Sequence, residues 1–229
     1  MPHALRMRWI DLAFLHWRIP AERMRPLVPA SLELDLFEGS AWVAVTPFRM
    51  TNVRPVFTPP IPTASDFPEL NVRTYVRHLG RAGVWFFSLD ATSWLAAMAA
   101  RAAVSLPYFH ARMNERRVGD EVEYDSVRTH PNAPAAEFRA RYRPLGSVFR
   151  AEPESLDFWL TERYSLFAMR ARQLLRLDIQ HVQWPLQEAM VDIQRNTMAS
   201  AAGITLPPEA PHVRFASQLD VVANWPVPV

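Results

Sequence analysis

Residues 69–78 read ELNVRTYVRH and alternate strictly between two classes of side chain. The odd positions carry polar or functional groups, and the even positions are mostly apolar. A period of two is typical of a β-strand, because successive side chains of a strand point to opposite faces of the sheet. The segment therefore predicts a strand with one apolar face and one functionalised face, formed by Glu69, Asn71, Arg73, Tyr75 and Arg77.

The same alternation recurs in other parts of the chain, at residues 40–50, 84–90, 121–128 and 136–143. Pro47 interrupts the first of these segments, which indicates an edge strand or a bulge. The polar link THPNAP at 129–134 predicts that the last two segments form an antiparallel hairpin. An acidic row then faces an arginine row across the hairpin. These rows are Glu121, Glu123 and Asp125 on one strand, and Arg139, Arg141 and Arg143 on the other.

Helical patterns are few and short, and they cover residues 20–27, 92–104, 155–163 and 197–202. Ser155 is the expected N-cap of the third, and Gly203 is the expected C-cap of the last. Asp90, just before the second, is interpreted as an acid favoured by the helix N-terminus. We predict one domain over residues 1–229 of mainly β (α+β) class, an antiparallel sheet with a few outer helices.

The composition excludes several kinds of chemistry. The chain has 25 residues that are lysine or arginine, all of them arginine, and it has no cysteine. Schiff-base catalysis by a lysine side chain, disulfides, thiolate metal sites and cysteine nucleophiles are therefore excluded. The net charge is +2, so we expect no nucleic-acid partner. No apolar run approaches the ~18 residues of a membrane span and no signal-peptide pattern is visible, so we expect a cytoplasmic protein without a membrane partner.

The histidines do not predict a metal site, because the seven of them are scattered without metal-ligand spacing. No cofactor-binding motif is present, so we predict neither a metal nor a cofactor. His16 and His181 are interpreted as core residues rather than catalysts. Aromatic residues near the C-terminus, such as Trp225, are compatible with a homo-oligomer interface, and equally with the filling of a core.

The polar face of residues 69–77 has two interpretations. In the first, it faces solvent above an apolar core. In the second, it lines a polar pocket inside a closed or conical sheet and holds a small carboxylate ligand. Arg73 then binds the carboxylate with Asn71 beside it, and Glu69 and Tyr75 transfer protons.

A second candidate site is the segment LPYFHARM at 106–113. Tyr108 and His110 fall on one face of a strand there, and the two side chains together suit acid–base chemistry near neutral pH. The alternative is a surface histidine beside a packed tyrosine.

Several runs, taken together and in order, resemble a known group of proteins. They are HWRIP (16–20), FEGSAWVAVTPFRM (37–50), ELNVRTYV (69–76), FFSLDA (86–91), LPYFHARM (106–113), ERY (162–164), WPLQEA (184–189) and SQLDVVANW (217–225). The chain resembles the uncharacterised YqjF-like bacterial family, a branch of the acetoacetate decarboxylase superfamily, over nearly its whole length. The resemblance implies an antiparallel β cone or partial barrel with helices packed outside and a pocket inside.

The resemblance also points to site residues. The catalytic lysine of true acetoacetate decarboxylases directly follows a proline, and here Pro107 is followed by Tyr108. Tyr108, or else His110, therefore stands in the place of the lysine. The decarboxylases carry a glutamate on an Asn-Glu type strand, and because Val72 follows Asn71 here, Glu69 and Arg73 are only approximate equivalents. Since the chain has no lysine, the decarboxylase reaction itself cannot be inherited.

Three functions remain open. The first is a lyase- or hydratase-type enzyme that acts on a small oxo- or aromatic carboxylic acid by acid–base chemistry. The second is a non-catalytic binder or sensor that uses the same cone cavity. The third is a structural or interaction protein whose cone is filled with side chains.

Overall fold

The structure is a computed structural model, and it describes residues 3–60, 65–93 and 105–229. The strands in these ranges are β1 His3–Ile19, β2 Glu33–Leu34, β3 Ala41–Pro55, β4 Phe67–His78, β5 Arg81–Ala91, β6 Tyr108–Val118, β7 Glu121–Arg128, β8 Glu137–Phe149, β9 Ser165–Arg170, β10 Gln173–Gln180, β11 Leu186–Asn196, β12 His212–Asn224 and β13 Val227–Pro228. The helical segments are the helices Ala21–Met24 and Leu156–Thr161 and the 3-10 turns Arg25–Leu27 and Ser200–Ala202. The helix predicted at 92–104 lies outside the described residues from residue 94 onward.

All of these strands join one sheet that closes on itself along two routes. One route runs β5-β6-β7-β8-β11-β12-β1-β3-β4 and back to β5, and we call it the nine-stranded ring. The other runs β5-β9-β10-β12-β1-β3-β4 and back to β5, and we call it the seven-stranded ring. The predicted mainly β cone or partial barrel is therefore confirmed. The pairing is antiparallel except at β5, which runs parallel to both β6 and β9.

Two hydrophobic clusters lie on the two faces of the strands that both rings share. Strands β7 and β8 contribute Val122, Tyr124, Phe138 and Tyr142 to the cluster in the nine-stranded ring. Strands β9 and β10 contribute Ala168 and Leu177 to the other cluster, in the seven-stranded ring. The shared strand β4 is consequently buried on both faces, which explains why its apolar even positions and its polar odd positions are both shielded from water.

An extra residue in β1 reverses its alternation. Between the register pairs Ile10↔Arg49 and Leu15↔Val45, β1 has one more residue than β3. Asp11 there has a positive φ of 50°, as expected for a β-bulge. The bulge turns Phe14 toward the seven-stranded ring, where it belongs to the same cluster as Met7.

The bulge also explains why β3 tolerates a proline at position 47. The residue does not end its strand, since β3 continues from Ala41 to Pro55 between β1 and β4. The prediction of an edge strand is therefore wrong, whereas a bulge is present on the neighbouring strand. Pro47 lies opposite that bulge, so its missing N–H group falls where the ladder between β1 and β3 is already interrupted.

Other local predictions are confirmed. Strands β7 and β8 pair with Glu123 opposite Arg141 and Asp125 opposite Arg139, and both pairs form ion pairs. Ser155 caps its helix by accepting a hydrogen bond from the main-chain N–H of Phe158. Gly203 ends the last helical turn in the left-handed conformation. Among the described helices, none is long and apolar enough to cross a membrane.

Candidate functional site

The polar face of β4 lies inside the protein. Glu69, Asn71 and Tyr75 expose 1%, 4% and 0% of their surface, and Arg73 is partly buried. The solvent-facing interpretation of this face is therefore wrong. The polar face is buried because β4 belongs to both rings. Its even positions pack in the nine-stranded ring, and Tyr75 packs in the seven-stranded ring.

Arg73 is the cation at the centre of this face. Its guanidinium carbon lies 5.5 Å from the centre of the Phe14 ring. Its Nε is buried without a hydrogen-bond partner, and no carboxylate of the described residues forms an ion pair with it. A buried charge without a counter-charge is costly, so this position favours an anion that comes from outside the chain.

The strand register places His16 beside Arg73. A row of paired positions crosses five strands, from His212 on β12 through His16, Ala44 and Arg73 to Phe86 on β5. Ala44 stands between His16 and Arg73 in this row. Its methyl group is the smallest side chain there, and it leaves room for the two long side chains to approach each other above it.

His16 and Tyr75 form a buried pair. His16 Nε2 lies 2.8 Å from the Tyr75 hydroxyl. Burial lowers the pKa of His16 well below its usual value, and the charge of Arg73 lowers it further. His16 is therefore neutral at pH 7. Burial raises the pKa of Tyr75, against the opposing charges of Arg73 and Arg163, so Tyr75 keeps its proton.

The far side of Tyr75 is held by a second arginine. The guanidinium carbon of Arg163 lies 5.1 Å from the centre of the Tyr75 ring and 4.5 Å from that of Trp159. Unlike Arg73, Arg163 is ion-paired, and its partner is the buried Asp35. Arg163 thus supports Tyr75 from behind, and its charge is already compensated.

Glu69, on the same face of β4, forms a second polar pair with Tyr108 of β6. The Tyr108 hydroxyl donates a hydrogen bond of 3.0 Å to Glu69 Oε2. Burial raises the pKa of Glu69 to about 8, although the hydrogen bond from Tyr108 works against this rise. Burial and the charge of Glu69 raise the pKa of Tyr108 well above its usual value. Both groups are therefore mostly protonated at pH 7, with Asn71 beside Glu69.

The two pairs lie on one face of β4 but at its opposite ends. Glu69 and Arg73 are four residues apart on β4, about 13 Å at the usual rise of a strand. The structure therefore brings Arg73 and Tyr75 together at one end of the face, and Glu69 and Tyr108 at the other, with Asn71 between them. His110, the remaining predicted residue, has its Nδ1 2.8 Å from the Thr129 hydroxyl.

Aromatic rings close the Arg73 end. Trp184 packs edge-on against Phe14 at 4.9 Å, and it stacks on Trp9 at 5.7 Å. His181 lies 5.2 Å from Trp184, and its pKa is lowered by burial and by the charge of Arg73. The indole nitrogens of Trp9 and Trp184 and the Nε2 of His181 are buried without hydrogen-bond partners. This end therefore carries polar atoms that a ligand can satisfy.

Two histidines of the site were not predicted as site residues, His16 and His181. Both were interpreted as core residues because each stands in an apolar, aromatic context. The structure does bury them, but each retains a ring nitrogen without a hydrogen-bond partner in the described chain. No periodicity could have found them, because the bulge at Asp11 decides which face His16 takes and His181 lies outside any regular strand.

Asp90 has a charged partner that the sequence did not indicate. Asp90 lies in β5 and is completely buried, and Arg128 on β7 donates two hydrogen bonds of 2.7 Å to its carboxylate. The sequence could not show this partner because it is 38 residues away, and the helix predicted after Asp90 lies outside the described residues from residue 94 onward. This bidentate pair is structural, since neither side chain is open to a ligand.

A pocket of about 310 Å³ lies elsewhere, beside the junction of β5 and β9. Its lining is Leu27, Trp85, Phe86, Phe87, Ser105, Pro107, Phe167, Ala168 and Met169. It contains no acid, base or cation, so it does not match the predicted chemistry. In the described ranges, no three side chains of the metal-binding types are grouped as ligands for a metal.

Comparison with solved structures shows that the chain has the acetoacetate decarboxylase-like fold. The enduracididine biosynthesis enzyme MppR complexed with pyruvate matches 100% of this chain and 91% of its own, with a TM-score of 0.66 and 11% identity. An acetoacetate decarboxylase-like enzyme from Sphingomonas wittichii RW1 matches 100% and 94%, with a TM-score of 0.64 and 13% identity. Acetoacetate decarboxylase from Legionella pneumophila matches 97% and 86%, with a TM-score of 0.63 and 15% identity.

Within this fold the chain belongs to the DUF2071 family, described as an uncharacterized conserved protein, whose model matches residues 6–220. It is 45% identical to the uncharacterized protein YqjF of Bacillus subtilis (strain 168) over 223 residues, which cover 97% of this chain and 91% of that protein. The resemblance found in the sequence is thereby confirmed.

Proposed function

We propose that the protein binds a small oxo- or aromatic carboxylic acid inside the seven-stranded ring and acts on it by acid–base chemistry without a lysine. The observation that carries this proposal is Arg73, a cation inside the ring whose Nε lacks a partner and which no described carboxylate neutralises. A planar carboxylate fits the guanidinium through two parallel hydrogen bonds. Asn71 lies on the same face and assists in binding.

The acid–base part of the proposal rests on two hydrogen-bonded pairs at opposite ends of the β4 face. Glu69 is mostly protonated at pH 7 and is a proton donor at one end, whereas Tyr75 lies against a neutral histidine at the Arg73 end. Proton transfer at either end suits a lyase or hydratase. Proton transfer by Tyr108 and His110 remains part of the proposal.

A thermal-shift screen tests ligand binding. Pyruvate, which accompanies MppR in its complex, 2-oxobutyrate and benzoate are suitable probes. We expect at least one of them to raise the melting temperature, because a ligand that binds only the folded state stabilises it. Arg73→Ala should remove this shift. Arg77→Ala is the matched control, because Arg77 lies on the same strand face but is ion-paired with Asp35. An equal shift in wild type and Arg73→Ala would contradict the proposal.

Catalysis needs a separate test. Wild-type protein is incubated with 2-hydroxy and α,β-unsaturated acids, and gain or loss of water is followed by mass spectrometry. We expect turnover that falls in Tyr108→Phe and in His110→Ala. Binding without turnover would instead support the alternative function, a non-catalytic binder or sensor. One observation favours that alternative: Glu69 and Tyr108 already satisfy each other by a hydrogen bond.

A further inference from the structure

The Arg73 end of the site contains a hydrogen-bonded pair that is almost completely buried. His16 and Tyr75 expose 1% and 0% of their surface, and the atoms that join them lie 2.8 Å apart. Main-chain ladders join β1, β3 and β4 around this pair, so its hydrogen bond is not part of the sheet pairing. A buried polar pair next to an uncompensated cation is typical of a functional site.

The two ring nitrogens of His16 have different surroundings. Nδ1 is buried and makes no hydrogen bond with the described residues, and Nε2 lies 2.8 Å from the Tyr75 hydroxyl. In the tautomer that carries the hydrogen on Nδ1, Nε2 holds the lone pair and accepts a hydrogen bond from the Tyr75 hydroxyl.

Charged, polar and aromatic groups surround His16 on three sides. On β4 they are Arg73 and Tyr75. On β12 they are His212 and Arg214, both of which bind the carboxylate of Asp157 on the helix Leu156–Thr161. The ring of Phe14 stacks on His16 with centres 5.9 Å apart. The negative charge of Asp157 is therefore already shared by two partners, and Arg73 is a cation near His16 to which no carboxylate of the described residues is paired.

We propose that His16 is the proton acceptor of this site, working through the Tyr75 hydroxyl, and that a carboxylate bound to Arg73 activates it. This rests on the proposed function, because it needs the ligand on Arg73. The carboxylate neutralises the charge that opposes a proton on His16, so the ligand itself strengthens the base. The substrate class is thereby narrowed to acids with an acidic C–H group next to a carbonyl, such as 2-oxo acids.

One proton leaves the ligand and one reaches His16, with Tyr75 between them. Tyr75 Oη takes a proton from C3 of the bound 2-oxo acid while its own proton moves to His16 Nε2. The electrons of the broken C3–H bond form a C2–C3 double bond, and the carbonyl π electrons move to the oxygen. The product is an enolate beside an imidazolium, and reversal returns a proton to C3. His16 is thus a positioning residue, and Tyr75 is the residue that touches the substrate.

Hydrogen exchange tests this directly. The full-length protein is mixed with pyruvate in D₂O, and loss of the methyl proton signal is followed by NMR. We expect the wild type to exchange the methyl protons faster than buffer does. His16→Gln and Tyr75→Phe should each lower the rate about tenfold or more and still bind pyruvate. His78→Gln is the control, because His78 lies at the end of β4 outside the ring cluster.

A second readout does not depend on turnover. The ring nitrogens of ¹⁵N-labelled histidine are titrated with and without saturating pyruvate, and His16 is assigned with His16→Gln. We expect the pKa of His16 to rise when pyruvate binds, and Arg73→Ala to abolish the rise. The role of His16 would be refuted if saturation with pyruvate left this pKa unchanged. It would also be refuted if His16→Gln bound pyruvate and exchanged its protons at the wild-type rate. Either result would leave the proposed function standing. If neither pyruvate nor 2-oxobutyrate binds, the proposed function fails as well.

Discussion

At the residue scale, the site depends on one small side chain. Ala44 is completely buried between His16 and Arg73 in the row that crosses the sheet. The β4 side of this row was predictable, because its period of two is unbroken and its odd positions carry the functional groups. The β1 side was not, because the extra residue at Asp11 changes which residues of β1 face inward.

Ala44→Val tests the importance of this space. Two added methyl groups should separate His16 from Tyr75 and obstruct Arg73, which removes ligand binding and lowers stability by about 1–3 kcal/mol. Ala140→Val is the matched control, because Ala140 is equally buried but lies in the nine-stranded ring. It should lose similar stability and keep the thermal shift with carboxylates. A thermal shift retained by Ala44→Val would refute the proposed location of the ligand.

Glu69 predicts a pH dependence of stability. Its pKa is about 8 in the folded protein and near the ordinary value when unfolded, so the folded state binds more protons between these values. The free energy of unfolding therefore falls as pH rises from about 5 to about 8. Glu69→Gln should flatten this fall, as measured by urea denaturation across the range. Equal slopes in wild type and Glu69→Gln would show that Glu69 is ionised throughout.

At the element scale, the seven-stranded ring closes through a narrow junction between β5 and β9. Gly83 permits this, because a Cβ atom there would lie 2.6 Å from the main-chain oxygen of Ser165. The strands themselves were predictable from their alternation, and the fold was recognisable from the resemblance. The closure of the ring was not predictable, because it depends on the close approach of two backbone segments that are far apart in sequence.

Gly83→Ala should force β5 and β9 apart. We expect a loss of about 1–3 kcal/mol in the free energy of unfolding, since the obstacle is backbone and cannot rotate away. We also expect weaker carboxylate binding, because the ring that holds the site opens. Gly39→Asn is the control, since nothing lies within 4 Å of its Cβ and Asn tolerates its positive φ of 74°. A Gly83→Ala variant as stable as the control would show that the junction is not closely packed.

The ion pair of Asp90 and Arg128 joins β5 to β7. Removing one partner leaves a buried charge, so Asp90→Asn or Arg128→Gln should each cost about 3–5 kcal/mol. The double variant should cost less than the sum of the two, as a double-mutant cycle by chemical denaturation will measure. Additive costs would mean that the two side chains act independently.

At the scale of the whole molecule, the chain combines an acetoacetate decarboxylase-like fold with a sequence that has no lysine side chain to form a Schiff base. Borohydride reduction in the presence of pyruvate should therefore trap no adduct on any internal peptide, as mass spectrometry of the digest will show. A labelled internal peptide would contradict the acid–base mechanism proposed for the site. The α-amino group can also form such an adduct, so the N-terminal peptide is analysed separately.

Arg73 is a cation that no carboxylate of the described residues neutralises, and Arg73→Met tests whether a ligand carboxylate takes that role. The free energy of unfolding of wild type and variant is measured by urea denaturation with and without pyruvate. Without ligand, the variant should be as stable as the wild type or more stable, because it removes a partly buried charge that no described carboxylate neutralises and keeps an apolar side chain of similar length. With ligand, only the wild type should gain stability. A variant that is less stable than wild type and still stabilised by pyruvate would show that Arg73 does not bind the carboxylate.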